Sequence, residues 1–254
     1  MTNAFRVRYY FRHGDVHDAD ERMSRYVTRL SIALGDLRVA ATYATRKRQN
    51  SAERLYFVRL TASHLREAVL IMDPSDHRVV PSLEEFLAAL PRGTKPSRTE
   101  IRRSHARALR MLAREMPSGR PVVASSSGTL RRPTLRDDLR ELRNRFFHYG
   151  HDAPGDEALR VAMGSLDGET AGYIIREHTL RAHYADDVGF ALAHPFPKEF
   201  ATTMHARIVD LIGPVSLFIH QVEAAWLHAH RDQVEVRFAG HERQTLREWL
   251  DGLT

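Results

Sequence analysis

A chain of 254 residues, 43% of them hydrophobic and 28% charged, is long enough to bury a substantial core as one large domain or two small ones. It has no cysteine, which excludes disulfides and thiolate metal sites and fits a reducing cytosol. The 38 Lys and Arg exceed the 32 Asp and Glu, leaving a formal charge of +6 that points to a polyanionic partner.

The N-terminal residues 1–14 alternate basic and aromatic side chains and lack the apolar run of a signal peptide. No stretch is read as approaching the roughly 18 apolar residues of a membrane span, so a cytoplasmic protein with no membrane partner is expected. Tyr26, Leu30, Ala33, Leu37, Ala40 and Ala44 mark the buried stripe of one long helix. Leu55, Val58, Ala62, Leu65, Val69 and Met72 mark a second, across a polar break at 46–51, and the two should pair as an antiparallel hairpin. Residues 82–90 form a shorter helix opened by a capping box at Ser82 and Glu85. Residues 97–115 form a strongly basic helix carrying Arg102, Arg103, Arg107 and Arg110, and 117–130, with its Ser-Ser-Ser-Gly run, reads as a mobile loop.

The next segment carries the chemistry. Leu135, Leu139, Leu142, Phe146 and Tyr149 recur at steps of four and three, which predicts a helix starting near Pro133 and Thr134 and stopping at Gly150. At about 100° per residue, Arg136, Arg140, Arg143, Asn144, Phe147 and His148 fan out on one flank, while Asp137, Asp138 and Glu141 lie on the other. Asn144 and His148 are stacked neighbours four apart, and Arg143, about 140° from His148, reaches the same groove from its edge. His148 sits in the last turn, where the exposed carbonyls favour an imidazolium and a nearby Arg opposes it.

After Gly150 the periodicity shortens. Residues 159–166, 171–177 and 188–193 alternate in part, which predicts a small antiparallel β insertion at 157–194. Apolar positions from Phe200 to Ala229 trace a long helix with a kink at Gly213-Pro214, followed by a strand-like 234–238 and a terminal helix through Trp249. The fold class is therefore mainly α, a helical bundle with a small antiparallel β insertion after the motif helix, read as one domain over 1–254.

An Arg followed by four to six residues and a His is a weak signal in a chain with 15 His and so many Arg, where roughly six matches arise by chance. Arg8 with His13, Arg12 with His17, Arg59 with His64, and Arg98 with His105 all satisfy the spacing. Context separates Arg143 and His148: they share a helix flank with an amide, and residues 98–145 hold 13 Arg against five acids, a net +8 that exceeds the surplus of the whole chain. Such a concentration is the footprint of a protein that holds a nucleic-acid backbone, although a solvated helical face produces the same count.

Arg143-Asn144-Arg145-Phe146-Phe147-His148 resembles the Arg-Asn-x3-His form of the HEPN-domain ribonuclease signature. That resemblance implies a HEPN-like bundle that forms a homodimer, with Arg143 and His148 of both subunits lining one composite cleft. It implies a metal-independent endoribonuclease on single-stranded RNA, with no cofactor, acting as a toxin or antiphage defence effector under a possible antitoxin or regulatory partner. His148 is then the general base or acid, Arg143 binds the scissile phosphate, and Asn144 orients His148 or a phosphate oxygen. Arg136, Arg140, Arg102, Arg103, Arg107 and Arg110 track flanking phosphates, and Phe147 stacks a base or packs in the core. HEPN toxins controlled by a nucleotidyltransferase carry a tyrosine two residues after the motif His. Here Tyr149 follows directly and Gly150 takes that place, so control through that tyrosine is not expected.

Two other classes stay open on the residues alone. A non-catalytic helical module would bind RNA or a protein through the same basic face. A metal-dependent hydrolase would need ligands from sets such as His148, His151 and Asp152, or His228, His230 and Asp232, or the pair His13 and His17, none of which has a convincing remaining ligand, so no metal site is expected.

Overall fold

A computed structural model describes residues 8–18, 20–44, 51–73, 81–115, 123–124, 128–140, 173–176, 179–182, 198–237 and 244–251. Over these residues the protein is mainly helical with a small three-stranded antiparallel sheet, the class expected from its periodicities. Chain packing divides it into two compact units. Unit 1 comprises Met1–Leu34, Ala68–Arg107 and Pro214–Thr254, and unit 2 comprises Gly35–Glu67 and Ala108–Gly213.

In unit 1, β1 (Arg8–Tyr10) pairs antiparallel with β6 (Glu235–Arg237), placing Tyr9 opposite Val236, and β6 pairs with β7 (Gln244–Thr245). The short helix α1 (His13–Val16) follows β1, and α7 (Leu246–Asp251) follows β7. The N-terminal residues, to which the sequence reading assigned no element, supply an edge strand whose partner lies more than two hundred residues away. Unit 1 also holds the first part of α2 (Arg22–Ala44), the end of α3 (Ser51–Met72), α4 (Leu83–Ala89), most of α5 (Arg98–Leu112) and the second part of α6 (Lys198–Ala229). Its centre is aromatic: Phe86 lies 5.6 Å from Tyr26 and 6.3 Å from Trp226, centroid to centroid, and the Trp226 indole N–H donates to the Val16 carbonyl at 2.8 Å. Burial with a satisfied polar handle is what a core tryptophan requires.

α4 begins as its sequence dictates. The Glu85 amide donates to Ser82 Oγ at 3.2 Å, and the Ser82 amide donates to Glu85 Oε2 at 2.6 Å, completing the capping box. Leu83, Phe86 and Leu87 are its buried face.

In unit 2 the end of α2 runs antiparallel to the start of α3. Tyr43 stacks on Phe57 at 4.9 Å, and His64 lies 3.7 Å from Asp36, so partners later in one helix meet partners earlier in the other. The predicted hairpin is therefore present. Part of the predicted loop at 117–130 is ordered as β2 (Val123–Ala124) paired antiparallel with β3 (Leu130–Arg131), and Gly128 takes a φ of 76° between them. Glycine adopts that left-handed backbone without a Cβ penalty. In the expected β insertion, β4 (Tyr173–Arg176) pairs antiparallel with β5 (Thr179–Ala182), with Ile174 opposite Arg181. The strands expected at 159–166 and 188–193 lie outside the described residues.

α6 runs as one helix over Lys198–Ala229 with Pro214 inside it, as the long apolar stripe predicted. Its segment Ala206–Ala229 is long and apolar enough to cross a membrane by length and composition, which corrects the expectation that no stretch approaches that length. The same segment contains Arg207, Asp210 and Glu223, and buries Leu211, Val215, Phe218, Ile219, Val222, Ala225 and Trp226 within the protein.

Candidate nucleic-acid interface

α5 is a helix whose two faces differ completely in chemistry. A capping box starts it: the Ser97 amide and hydroxyl both donate to Glu100 Oε2 at 2.7 Å, and the Glu100 amide donates to Ser97 Oγ at 3.3 Å. These bonds from Ser97 hold the Glu100 carboxyl below its ordinary value. The basic helix expected over 97–115 ends at Leu112. Ile101, Ser104, Ala108 and Leu112 form its buried face, and the Ser104 hydroxyl is satisfied by the Ile101 carbonyl at 2.9 Å. His105 flanks that face, donating to the Met72 carbonyl at 2.9 Å and lying 5.0 Å from the Phe218 ring.

Its arginines divide into two groups. Arg98 donates to the Leu90 carbonyl at 2.6 Å, an interaction that closes the loop between α4 and α5. Arg102 makes a two-pronged contact with Glu84 of α4 at 2.9 and 2.6 Å, and this hydrogen bonding holds Glu84 below and Arg102 above their ordinary values. Arg103, Arg107 and Arg110 are exposed on the opposite side. Among the described residues none of these three has an ion-pair partner.

The α5 terminus registers the start of the motif helix. The Leu135 amide donates to the Arg114 carbonyl at 3.2 Å, and Glu115 forms an antiparallel bridge with Thr134. Residues 135–140 are helical, as expected, with Leu135 and Leu139 buried. Each such leucine stabilises the helix's seating by about 1.5–3 kcal/mol relative to exposure. Asp137 closes the first turn: the Thr134 amide and hydroxyl donate to Oδ2 at 2.8 Å, and Arg131 of β3 donates to both oxygens at 2.7 and 2.9 Å. Burial alone would raise the Asp137 carboxyl, but the bonds from Arg131 and Thr134 outweigh it and bring it to about 2. Arg140 projects outward, its side chain 63% exposed and 3.9 Å from Asp137.

The structure alters one helix flank. Asp138 was assigned with Asp137 and Glu141 to the acidic flank beside the apolar stripe, and it is fully buried along with Leu135 and Leu139. Arg136 is half-buried and engaged, whereas Arg140 is exposed, so the two predicted phosphate ligands on this helix are not equivalent. Arg143, Asn144, Phe147 and His148 lie outside the described residues.

Competing histidines are committed elsewhere. His105 is bonded to backbone, His64 faces Asp36, and His17 Nδ1 lies 3.4 Å from the Thr28 hydroxyl beside the Phe11 ring at 5.5 Å. Of the set His228, His230 and Asp232, His230 donates to the Trp226 carbonyl at 2.9 Å and Asp232 pairs with Arg247 at 2.8 Å. Burial, then Arg231, pushes the His228 imidazole below its ordinary value. Among the described residues no three His, Asp or Glu are grouped to hold a metal ion.

Sequence reasoning missed the Arg131, Asp137 and Thr134 clamp, although Thr-x-x-Asp before an apolar run is itself a capping signature. It also passed over Arg114, exposed just beyond α5, which the step of four from Arg110 could have found.

No family model matches this chain, and neither a curated protein nor a solved structure is significantly similar to it.

Proposed function

We propose that this protein is a metal-independent endoribonuclease of HEPN type that cleaves single-stranded RNA. The observation that carries the proposal is the sequence Arg143-Asn144-x3-His148, which follows the helical residues 135–140 in the chain. The burial of Leu135 and Leu139 and the exposure of Arg140 support the helical phase from which Asn144 and His148 were assigned to a polar flank.

In the reaction the RNA 2′-hydroxyl oxygen bonds to the adjacent phosphorus while the bond from phosphorus to the 5′-oxygen breaks. The hydroxyl proton passes to a base and the departing oxygen receives a proton, leaving a 2′,3′-cyclic phosphate and a 5′-hydroxyl. His148 serves as acid or base, Arg143 stabilises charge on the non-bridging oxygens, and Asn144 orients the imidazole or a phosphate oxygen. Two copies of the motif helix in a homodimer present these groups to one phosphate better than a single helix can. By the same resemblance the protein is a cytoplasmic toxin or antiphage effector. The test is cleavage of single-stranded RNA in EDTA by the purified protein, with loss in His148→Ala and in Arg143→Ala.

RNA binding without cleavage is favoured by a different observation, the exposed Arg103, Arg107 and Arg110 face, which needs no histidine. A protein that binds RNA tightly but leaves it intact under those conditions belongs to that second class.

A further inference from the structure

We infer that one face of α5 is a phosphate track for a single nucleic-acid strand, formed by Arg103, Arg107 and Arg110 and continued by Arg114, and that Arg102 and Arg98 do not belong to it. This rests on RNA being the partner. Steps of four and three place Arg103, Arg107 and Arg110 within a narrow arc opposite the buried Ile101, Ser104, Ala108 and Leu112, and the exposed Arg114 follows just beyond the helix end. From Arg103 onward the helix positions flanking this arc are Ala106 on one side and Met111 on the other. The only carboxylate on the outer side of α5, Glu100, is occupied by the Ser97 amide and hydroxyl. Like charges three and four apart repel on a helix; Glu100 offsets Arg103 in part, and Arg107 and Arg110 have no ion-pair partner among the described residues, so an external polyanion completes this face.

The identity of that polyanion follows from what the face lacks. Protein interfaces centre on Trp and Tyr anchors as well as Arg, and this surface carries no aromatic side chain, with Met111 at its edge. A repeating backbone of phosphates needs no anchor, and the short Ala106 lets it approach closely. From Arg103 to Arg110 the rise is about 10.5 Å, enough for consecutive phosphates of one strand. The track also has a destination: the Arg114 carbonyl receives the Leu135 amide, so the line of arginines ends where the motif helix starts. Arg102, by contrast, is already neutralised in two-pronged contact with Glu84, and Arg98 is fixed on the Leu90 carbonyl.

The test uses the full chain and a fluorescently labelled, single-stranded 2′-O-methyl RNA oligonucleotide, which has no 2′-hydroxyl and is not cleaved. Affinity is measured against salt concentration. The triple variant Arg103→Gln, Arg107→Gln, Arg110→Gln is expected to flatten the log–log slope by about 2, at roughly 0.7 per single-strand phosphate contact. Replacing the same three by Lys should retain the slope, and Arg102→Gln should leave it unchanged. Should the triple variant lose helix content, the single substitutions each lower the slope by about 0.7. An unchanged slope in the Gln variants overturns the track, as does an equal loss in Arg102→Gln, or binding of a polyglutamate peptide in place of the oligonucleotide. A track without catalysis shows itself separately, as normal oligonucleotide binding with ordinary RNA left intact.

Discussion

The two basic segments on either side of the β2–β3 hairpin, α5 and residues 131–140, have the same kind of composition and opposite structural use of it. At 131–140 the charges close on one another: Arg131 grips Asp137, Asp137 caps Thr134, and Arg140 lies at the edge of the same carboxylate. On α5 a single acid from α4 neutralises Arg102, and the outward Arg103, Arg107 and Arg110 have no ion-pair partner among the described residues. A net charge therefore does not identify ligands. It becomes informative only when arginines that hold a helix in place are separated from those that hold nothing.

The largest effect separating the two segments should be chemical. His148→Ala or Arg143→Ala, in the motif that follows residues 131–140 in the sequence, is expected to lower the cleavage rate by about 10²–10⁴-fold, read in single-turnover assays with unchanged helix content by circular dichroism. His64→Ala, at a spacing decoy whose ring faces Asp36, should leave the rate within about twofold on the same scale of effects. A decoy as damaging as His148 would mean the wrong motif carries the chemistry.

Next in size is the effect of removing the α5 track on steady-state kinetics. The triple Gln variant should raise KM for RNA severalfold and leave kcat unchanged, because flanking phosphate contacts bind substrate and transition state alike. A fall in kcat with KM unchanged would place those arginines in the chemistry, and so erase the contrast between the segments.

A smaller effect concerns stability. Asp137→Asn should destabilise the protein by about 1–2 kcal/mol at neutral pH, through lost capping and weaker bonds from Arg131. Because the folded carboxyl is lowered from 3.8 to about 2, its contribution is fully present above the unfolded value and is lost as pH falls through the folded one. The gap between wild type and Asp137→Asn in chemical denaturation should therefore hold constant from neutrality to mild acid and close between about pH 4 and pH 2. A gap that persists at the acid end would show that the carboxylate is not the source.

The smallest effect belongs to α4 and its surface pair. Ser82→Ala should cost about 1 kcal/mol through loss of the capping box, and Glu84→Gln less than that, since its pair with Arg102 is exposed. Thermal denaturation ranks the two, and a larger loss at Glu84 would make Arg102 more than a surface tether.

Much of this architecture was readable from the sequence because helices are local. The stripes on α2 and α3, the Ser82 and Glu85 box and the start of the motif helix depend on residues within a turn or two of one another. The sheet was less readable: β1 is three residues long and pairs across nearly the whole chain, a contact that no local pattern encodes. Asp138 misled for another reason. It lies 60° from Leu135 around the helix, close enough to share its burial, yet carboxylates are so seldom buried that residue type pointed outward. The division of the arginines was also hidden, since Glu84 reaches Arg102 from a different helix.

The most direct measurement is the fate of a single-stranded RNA incubated with EDTA-treated protein, with the product ends identified by mass spectrometry. The account predicts fragments ending in 2′,3′-cyclic phosphate and beginning with 5′-hydroxyl, formed by the wild type and not by His148→Ala. Intact RNA, or cleavage that appears only when a divalent ion is restored, would contradict it.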